Sequence, residues 1–181
     1  MVRESARDGI LDAAEAIVRE RGAAHVTLDA VAERAGLSKG GVLYHFQTKE
    51  ALLTALVERM TQAFRDLYVE AHGRMGGDAS RILEAYLEAV TTAEEKLGQT
   101  SCALIPALAA NPELLEPIRQ FYQHHYAQLP NTPVGYEQAA VVTLALDGMW
   151  LLEMLGVSPL QPKDEKRIAK FLAKLATERF D

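Results

Sequence analysis

Side chains that donate hydrogen bonds to anions gather in one short stretch. Between positions 34 and 49 the charged residues are Arg34, Lys39 and Lys49, with no Asp or Glu among them. Tyr44 and His45 follow Lys39 by five and six residues, so on a short helix they continue along its exposed side and both can donate to phosphate or to base edges. Ser38 and Thr48 each stand where a helix would begin, and Thr27 offers the same further upstream. A helix start presents free backbone N–H groups and a partial positive charge, which suits phosphate oxygens. Lys39 is the residue best placed for a base, because an ammonium can address O6 and N7 of guanine. Arg34 is open between a phosphate contact and simple solvation. Gly40 and Gly41 are costly in a helix, about 1 kcal/mol each relative to alanine. That cost is offset if the backbone must come very close to a groove; the alternative is a loose turn. The chemistry of this stretch is recognition of double-stranded nucleic acid.

The elements that must position these groups are legible from periodicity. Ile10, Leu11, Ala14, Ile17 and Val18 mark a first helix that stops at Gly22 after Arg19 and Arg21. Thr27 caps a second, short helix carrying Leu28, Val31 and Ala32 and ending at Gly36. Ser38 caps a third that runs to about Phe46, and Thr48 a fourth that runs through Leu52, Leu56, Met60 and Phe64 toward Gly73. Two short helices joined by a glycine-containing turn, the second opening on basic and polar residues, form the helix-turn-helix pattern. Val31, Leu37, Val42 and Phe46 are expected in the core of this head.

The run Gly36-Leu37-Ser38-Lys39-Gly40-Gly41-Val42-Leu43-Tyr44-His45-Phe46-Gln47-Thr48-Lys49-Glu50-Ala51-Leu52 strongly resembles the DNA-binding signature of the TetR family of transcriptional regulators, and Val26 to Ala35 resembles its first half. The resemblance covers residues 7–56 in order and spacing, and beyond them only the number and lengths of the helices. It implies that Lys49 meets the DNA backbone, and that Gly41 occupies a position where many relatives place a larger base-reading side chain. Relatives usually have tyrosine where Leu43 stands, so that phosphate contact is in doubt and Leu43 is expected to pack inward. It also implies an all-α protein: a three-helix head at 1–48, then a helical ligand-binding and dimerisation domain at 49–181, about nine helices in all.

Beyond the head, Gly73 to Asp78 (GRMGGD) reads as a flexible joint, and further helices fit 80–97, 101–110, 112–128, 136–155 and 163–179, with Pro117 bending or restarting its own. Residues 136–155 are apolar on nearly every side, and the last helix has a single stripe of Ile168, Phe171, Leu172 and Leu175. Pairing of these two helices with their symmetry mates would cover them in a homodimer, as the resemblance also implies; closure of a monomeric bundle is the alternative. A ligand cavity follows from the resemblance alone. Its candidate lining is Leu104, Ile105, Leu108, Phe121, Tyr122, Met149 and Trp150, with Cys102, His125 and Asp147 available to orient a guest. For any one of these residues, ordinary core packing is the simpler role. The effector is expected to be a small, mainly apolar molecule of unknown identity.

Composition bounds the rest. In 181 residues, 49% are hydrophobic and 24% charged, as in globular proteins, and the net charge is −6. That sum argues against DNA, but residues 1–50 carry seven Lys and Arg against eight Asp and Glu, so most of the acidic excess lies elsewhere. Cys102, the single cysteine, rules out an internal disulfide and a multi-cysteine metal site. His124 and His125 are adjacent and point about 100° apart on a helix, so they cannot share a metal. No leader, membrane span, phosphate loop or placed nucleophile is visible, which leaves a cytoplasmic regulator without cofactor or metal and no enzyme chemistry. A helical small-molecule carrier is the rival, and the intact head argues against it.

Overall fold

The computed structural model describes residues 2–180, with the side chains of residues 2–5 and 95 left aside. Among the described residues every regular element is helical: α1 (Val2–Arg21), α2 (Leu28–Ala35), α3 (Lys39–His45), α4 (Lys49–Arg74), α5 (Ile82–Ala110), α6 (Glu116–Gln128), α7 (Tyr136–Met154) and α8 (Pro162–Thr177). Single 3-10 turns at Ala23–His25, Ala79–Arg81, Pro112–Leu115 and Leu129–Asn131 join some of them. Pro117 falls in the first turn of α6, where a missing N–H costs nothing, so the helix restarts there. The expected helices at 80–97 and 101–110 are instead one continuous α5. Gly98 costs only about 1 kcal/mol against alanine. Tyr86, Val90, Ala93, Thr100 and Leu104 recur at helical spacing and are all buried, and that burial outweighs the weak break.

The chain divides into two compact units, one of residues up to Thr61 with Gln99–Arg119, the other of Gln62–Gly98 with residues from Gln120 onward. In the first, Ile10, Leu11, Val18, Val26, Val31, Val42, Leu52 and Leu56 are at most 1% exposed and pack as one core, which Leu104 and Leu114 join. Arg59 on α4 clamps α1 by hydrogen bonds to Asp12, at 2.6 Å, and Glu15. Val31, Val42 and Phe46 are buried as expected, but Leu37 is 37% exposed. The cause is the turn: Gly36 adopts φ 67°, Leu37 N–H donates to the Ala32 carbonyl and Gly36 N–H to that of Glu33, a Schellman cap that throws Leu37 outward. Leu43 is also 37% exposed rather than packed inward, because Val42 and Phe46 fill the inward side of α3.

In the second unit α7 carries two apolar stripes. Ala139, Val142, Thr143 and Leu146 face the core, together with Tyr86, Phe121, Leu129 and Leu172. Val141, Leu144, Leu151, Leu152 and Leu155, spaced three, seven, one and three residues apart, are 39–61% exposed, and Phe171 on α8 is 55% exposed. Gln138 fastens the two helices: its Nε2 donates to the Leu175 and Glu178 carbonyls at 2.7 Å and its Oε1 accepts from Phe180 N–H at 3.0 Å. Among the described residues no helix is long and apolar enough to cross a membrane.

Candidate nucleic-acid interface

Three hydroxyl caps set the geometry of the head. Thr27 Oγ1 accepts from Ala30 N–H at 3.1 Å, Ser38 Oγ from Gly41 N–H at 3.1 Å, and Thr48 Oγ1 from Ala51 N–H at 3.0 Å. Each satisfies one of the donors that a helix start leaves unpaired and fixes where the following helix begins. Because Val42 is buried, α3 turns its opposite side outward: Lys39, Gly40, Leu43 and Tyr44 are exposed, Tyr44 by 65%. The His45 ring meets the Tyr44 ring edge-on with centroids 5.2 Å apart.

The cations are not bare. Lys39 Nζ pairs with Asp29 Oδ2 at 3.0 Å, Arg34 forms a two-pronged pair with Glu20 at 2.6 and 2.5 Å, and Lys49 Nζ donates to the Ala24 carbonyl at 3.1 Å. The acid-free window of the sequence is therefore closed by acids from α1 and α2. The hydrogen bond from Arg34 holds the Glu20 carboxyl below the usual carboxylate range, and Glu20 raises Arg34 in turn. These pairs are solvent-exposed, so water screens them and salt weakens them further. A phosphate offering a charge-assisted bond can displace them. Nothing in the sequence near Lys39 or Arg34 announced these partners, since Asp29 lies ten and Glu20 fourteen residues away.

Gly40 and Gly41 are not demanded by the protein itself. Neither has a positive φ. A Cβ on Gly41 would lie 3.5 Å from Ser38 Oγ and 3.8 Å from Leu37 Cβ, and one on Gly40 3.9 Å from Ser38 Oγ, all ordinary contacts. Gly41→Ala is accordingly expected to stabilise the free protein by roughly 0.5–1 kcal/mol through helix propensity, read as a higher melting temperature, and to weaken DNA binding by placing a methyl group against the groove. A stabilised variant with unchanged DNA affinity would refute close approach as the reason for these glycines.

The residues expected to line a cavity fall into two groups. Leu104 is buried in the core of the first unit and Leu108 packs against that core; Cys102 and Ile105, both half-buried, lie on the same stretch of α5. Phe121, Tyr122, His125, Asp147, Met149 and Trp150 belong to the second unit. There they meet residues that the sequence reading had not assigned to a cavity: Phe64, Tyr68, Tyr86, Tyr126 and Thr143. His125 is 1% exposed and stacks on Tyr86 at 4.2 Å. Its Nε2 lies 3.4 Å from Thr143 Oγ1, while its Nδ1 and the Trp150 indole N–H find no partner in the protein. Burial drives the imidazole pKa down to about 4, so His125 is neutral at neutral pH. Tyr86 Oη donates to Asp147 Oδ1 at 2.5 Å and Tyr122 hydrogen-bonds the same carboxylate. Burial pushes the Asp147 carboxyl up and the two tyrosine bonds pull it back. The sequence signal for this cluster is Asp147, an acid set between Leu146 and Met149 in the middle of a mainly apolar helix.

Comparison with known proteins decides what the head belongs to. Residues 10–56 match the family of bacterial regulatory proteins called tetR, and residues 80–177 match the tetracyclin repressor-like C-terminal domain. The chain belongs to the TetR family. Its relatives include the HTH-type transcriptional regulator BetI of Burkholderia thailandensis, 29% identical over 182 residues that span 93% of this chain and 91% of BetI. Among solved structures, the TetR-family member SCO1917 from Streptomyces coelicolor A3 superposes with a TM-score of 0.70 at 23% identity, covering 92% of this chain and 97% of that one. The multidrug binding protein EbrR, crystallised with malachite green, does so at 0.69 and 24%, covering 93% and 96%. This TetR-family chain is thus a DNA-binding transcriptional regulator rather than an enzyme, and α2 and α3 are its helix-turn-helix.

Proposed function

We propose that this regulator is a homodimeric repressor that holds an inverted-repeat operator through α3 of each protomer and releases it when a small, mainly apolar molecule binds the second unit. The observation that carries this reading is the exposed stripe of Val141, Leu144, Leu151 and Leu152 on α7, continued by Leu155 at its C-cap, together with the exposed Phe171 on α8. A continuous apolar stripe of this length marks a surface that another chain covers, and two copies of it related by a two-fold axis cover each other. Dimerisation sets the spacing of the two recognition helices, and Thr27, Arg34, Ser38, Lys39, Gly40, Gly41, Tyr44, His45, Thr48 and Lys49 are the residues assigned to DNA. Being assigned to chromosomal DNA, the protein works in the cytoplasm. EbrR, a fold relative, is a multidrug binding protein seen with malachite green, which supports a small-molecule effector here. The helix that begins at Lys49 beside Thr48 runs on into the second unit, which makes α4 the lever. A ligand loosens DNA only through its differential affinity for the two states, and a coupling of about 1–3 kcal/mol changes operator affinity about 5–150-fold.

The test is footprinting on the DNA that flanks the protein's own gene. Two protected half-sites in inverted repeat, on one face of the duplex and about one helical turn, roughly 34–36 Å, apart, are expected. Uniform affinity for that DNA and for random duplex would overturn the operator reading.

A further inference from the structure

The second unit half-buries a carboxylate beside aromatic rings and gives it no cation. Among the described residues no Lys or Arg forms an ion pair with Asp147; its polar neighbours are the hydroxyls of Tyr86 and Tyr122. Arg65, the guanidinium seated on this cluster, lies over the face of Phe121 with its Cζ 5.9 Å from the ring centroid. Removing a carboxylate from water, even in part, favours a positive partner beside it. His125 cannot be that partner at neutral pH, because burial keeps its ring uncharged. The rings themselves are arranged in layers: Tyr86, His125 and Phe121 are stacked within 24° of parallel, and Tyr68, Tyr122 and Tyr126 meet them at steeper angles. Two buried donors or acceptors in the same core, His125 Nδ1 and Trp150 Nε1, are without a protein partner. Ring faces attract cations through their quadrupole, and do so more strongly when water is excluded. The Asp147 carboxylate, hydrogen-bonded to Tyr86 and Tyr122, supplies the countercharge.

The geometry points to an organic cation as the effector: an apolar body carrying one positive charge, held by Asp147 and faced by Tyr86, Tyr122, Tyr126, Phe121 and His125. This rests on the ligand-responsive reading above and names the chemical class of the ligand. Alkylammonium or aryl cations fit; an anion is disfavoured by Asp147, and a neutral hydrocarbon leaves the carboxylate uncompensated.

Calorimetric titration of the full-length protein with benzyltrimethylammonium and with its uncharged carbon counterpart, neopentylbenzene, separates charge from shape. The cation is expected to bind at least tenfold more tightly than the neutral compound, and Asp147→Asn, which keeps an acceptor for the tyrosine hydroxyls, should close most of that gap. Equal affinities, no binding of the cation, or a gap that survives Asp147→Asn would overturn the proposal. Should Asp147→Asn fail to fold, Tyr126→Leu leaves the Tyr86–Asp147 bond in place and must narrow the gap at least threefold; an unchanged gap overturns it equally. Operator affinity is followed separately by fluorescence anisotropy. A cation that binds as expected without shifting operator affinity leaves the site standing and defeats ligand-responsive repression. A neutral compound that releases DNA while the cation does not bind defeats the cation and leaves repression standing.

Discussion

Replacing Leu144 and Leu151 together by glutamate is expected to turn the protein into a monomer and to lower operator affinity at least a hundredfold. Both side chains lie on the outer stripe of α7, 61% and 45% exposed, so the substitutions create no buried charge within one chain and the monomer keeps its fold. Across a two-fold interface the same change places up to four carboxylates in an apolar seam, where an unpaired buried charge costs several kcal/mol. Loss of the dimer then removes the advantage of tethering two half-site contacts, worth about 10²–10⁴ in affinity. Sedimentation at micromolar concentration and anisotropy against the operator read the two effects. Val69→Glu is the control, because Val69 on α4 is 67% exposed but lies outside that stripe, and it should change neither. A double variant that still sediments as a dimer would show that α7 does not form the seam.

The second large effect is expected at the recognition face. Lys39, Tyr44 and Lys49 replaced together by alanine should lower operator affinity a hundredfold or more, since hydrogen bonds from charged groups contribute about 1.5–3 kcal/mol each and 1.4 kcal/mol is tenfold. The single variants divide the loss. Lys49→Ala should weaken all sequences alike and reduce the salt dependence by about one unit per protomer, whereas Lys39→Ala should also relax sequence preference. Asp29→Asn is expected to act in the opposite direction. It frees the Lys39 ammonium from the 3.0 Å pair that competes with DNA, and affinity should rise by a few-fold, most at low salt. All three targets are at least partly exposed, so circular dichroism melts should change little. Equal binding by the wild type and the triple variant would remove α3 from the interface.

Much of the head was legible because its signals are local. Thr27, Ser38 and Thr48 are caps whose partner N–H groups lie three residues on, and Gly36 is a stop that works through its own φ. Periodicity found α1 to α4, α7 and α8, because burial on one side repeats every three or four residues. It failed where a weak local signal competed with burial. The sequence reading broke the chain between 97 and 101, yet Thr100 there is 3% exposed and its hydroxyl lies 3.3 Å from Glu15 Oε1, so the helix runs on. Leu37 was misplaced for the converse reason: its apolar side chain suggested core, while the cap geometry sends it to solvent.

What this sequence determined by itself was therefore helices α1 to α4, α7 and α8 and the helix-turn-helix. Only the tertiary structure decided which charges meet. Arg34 finds Glu20, Lys39 finds Asp29 and Lys49 the Ala24 carbonyl across intervals of ten to twenty-five residues, and Tyr86 reaches Asp147 across sixty-one. Only the tertiary structure, too, divided the mainly apolar α7 into a stripe against the core and a stripe left outside. The physical reason is the same in each case. Caps and periodicity are interactions within one helix, fixed by 3.6 residues per turn, whereas ion pairs between helices and the choice of buried side depend on how separate helices pack, which no local spacing encodes.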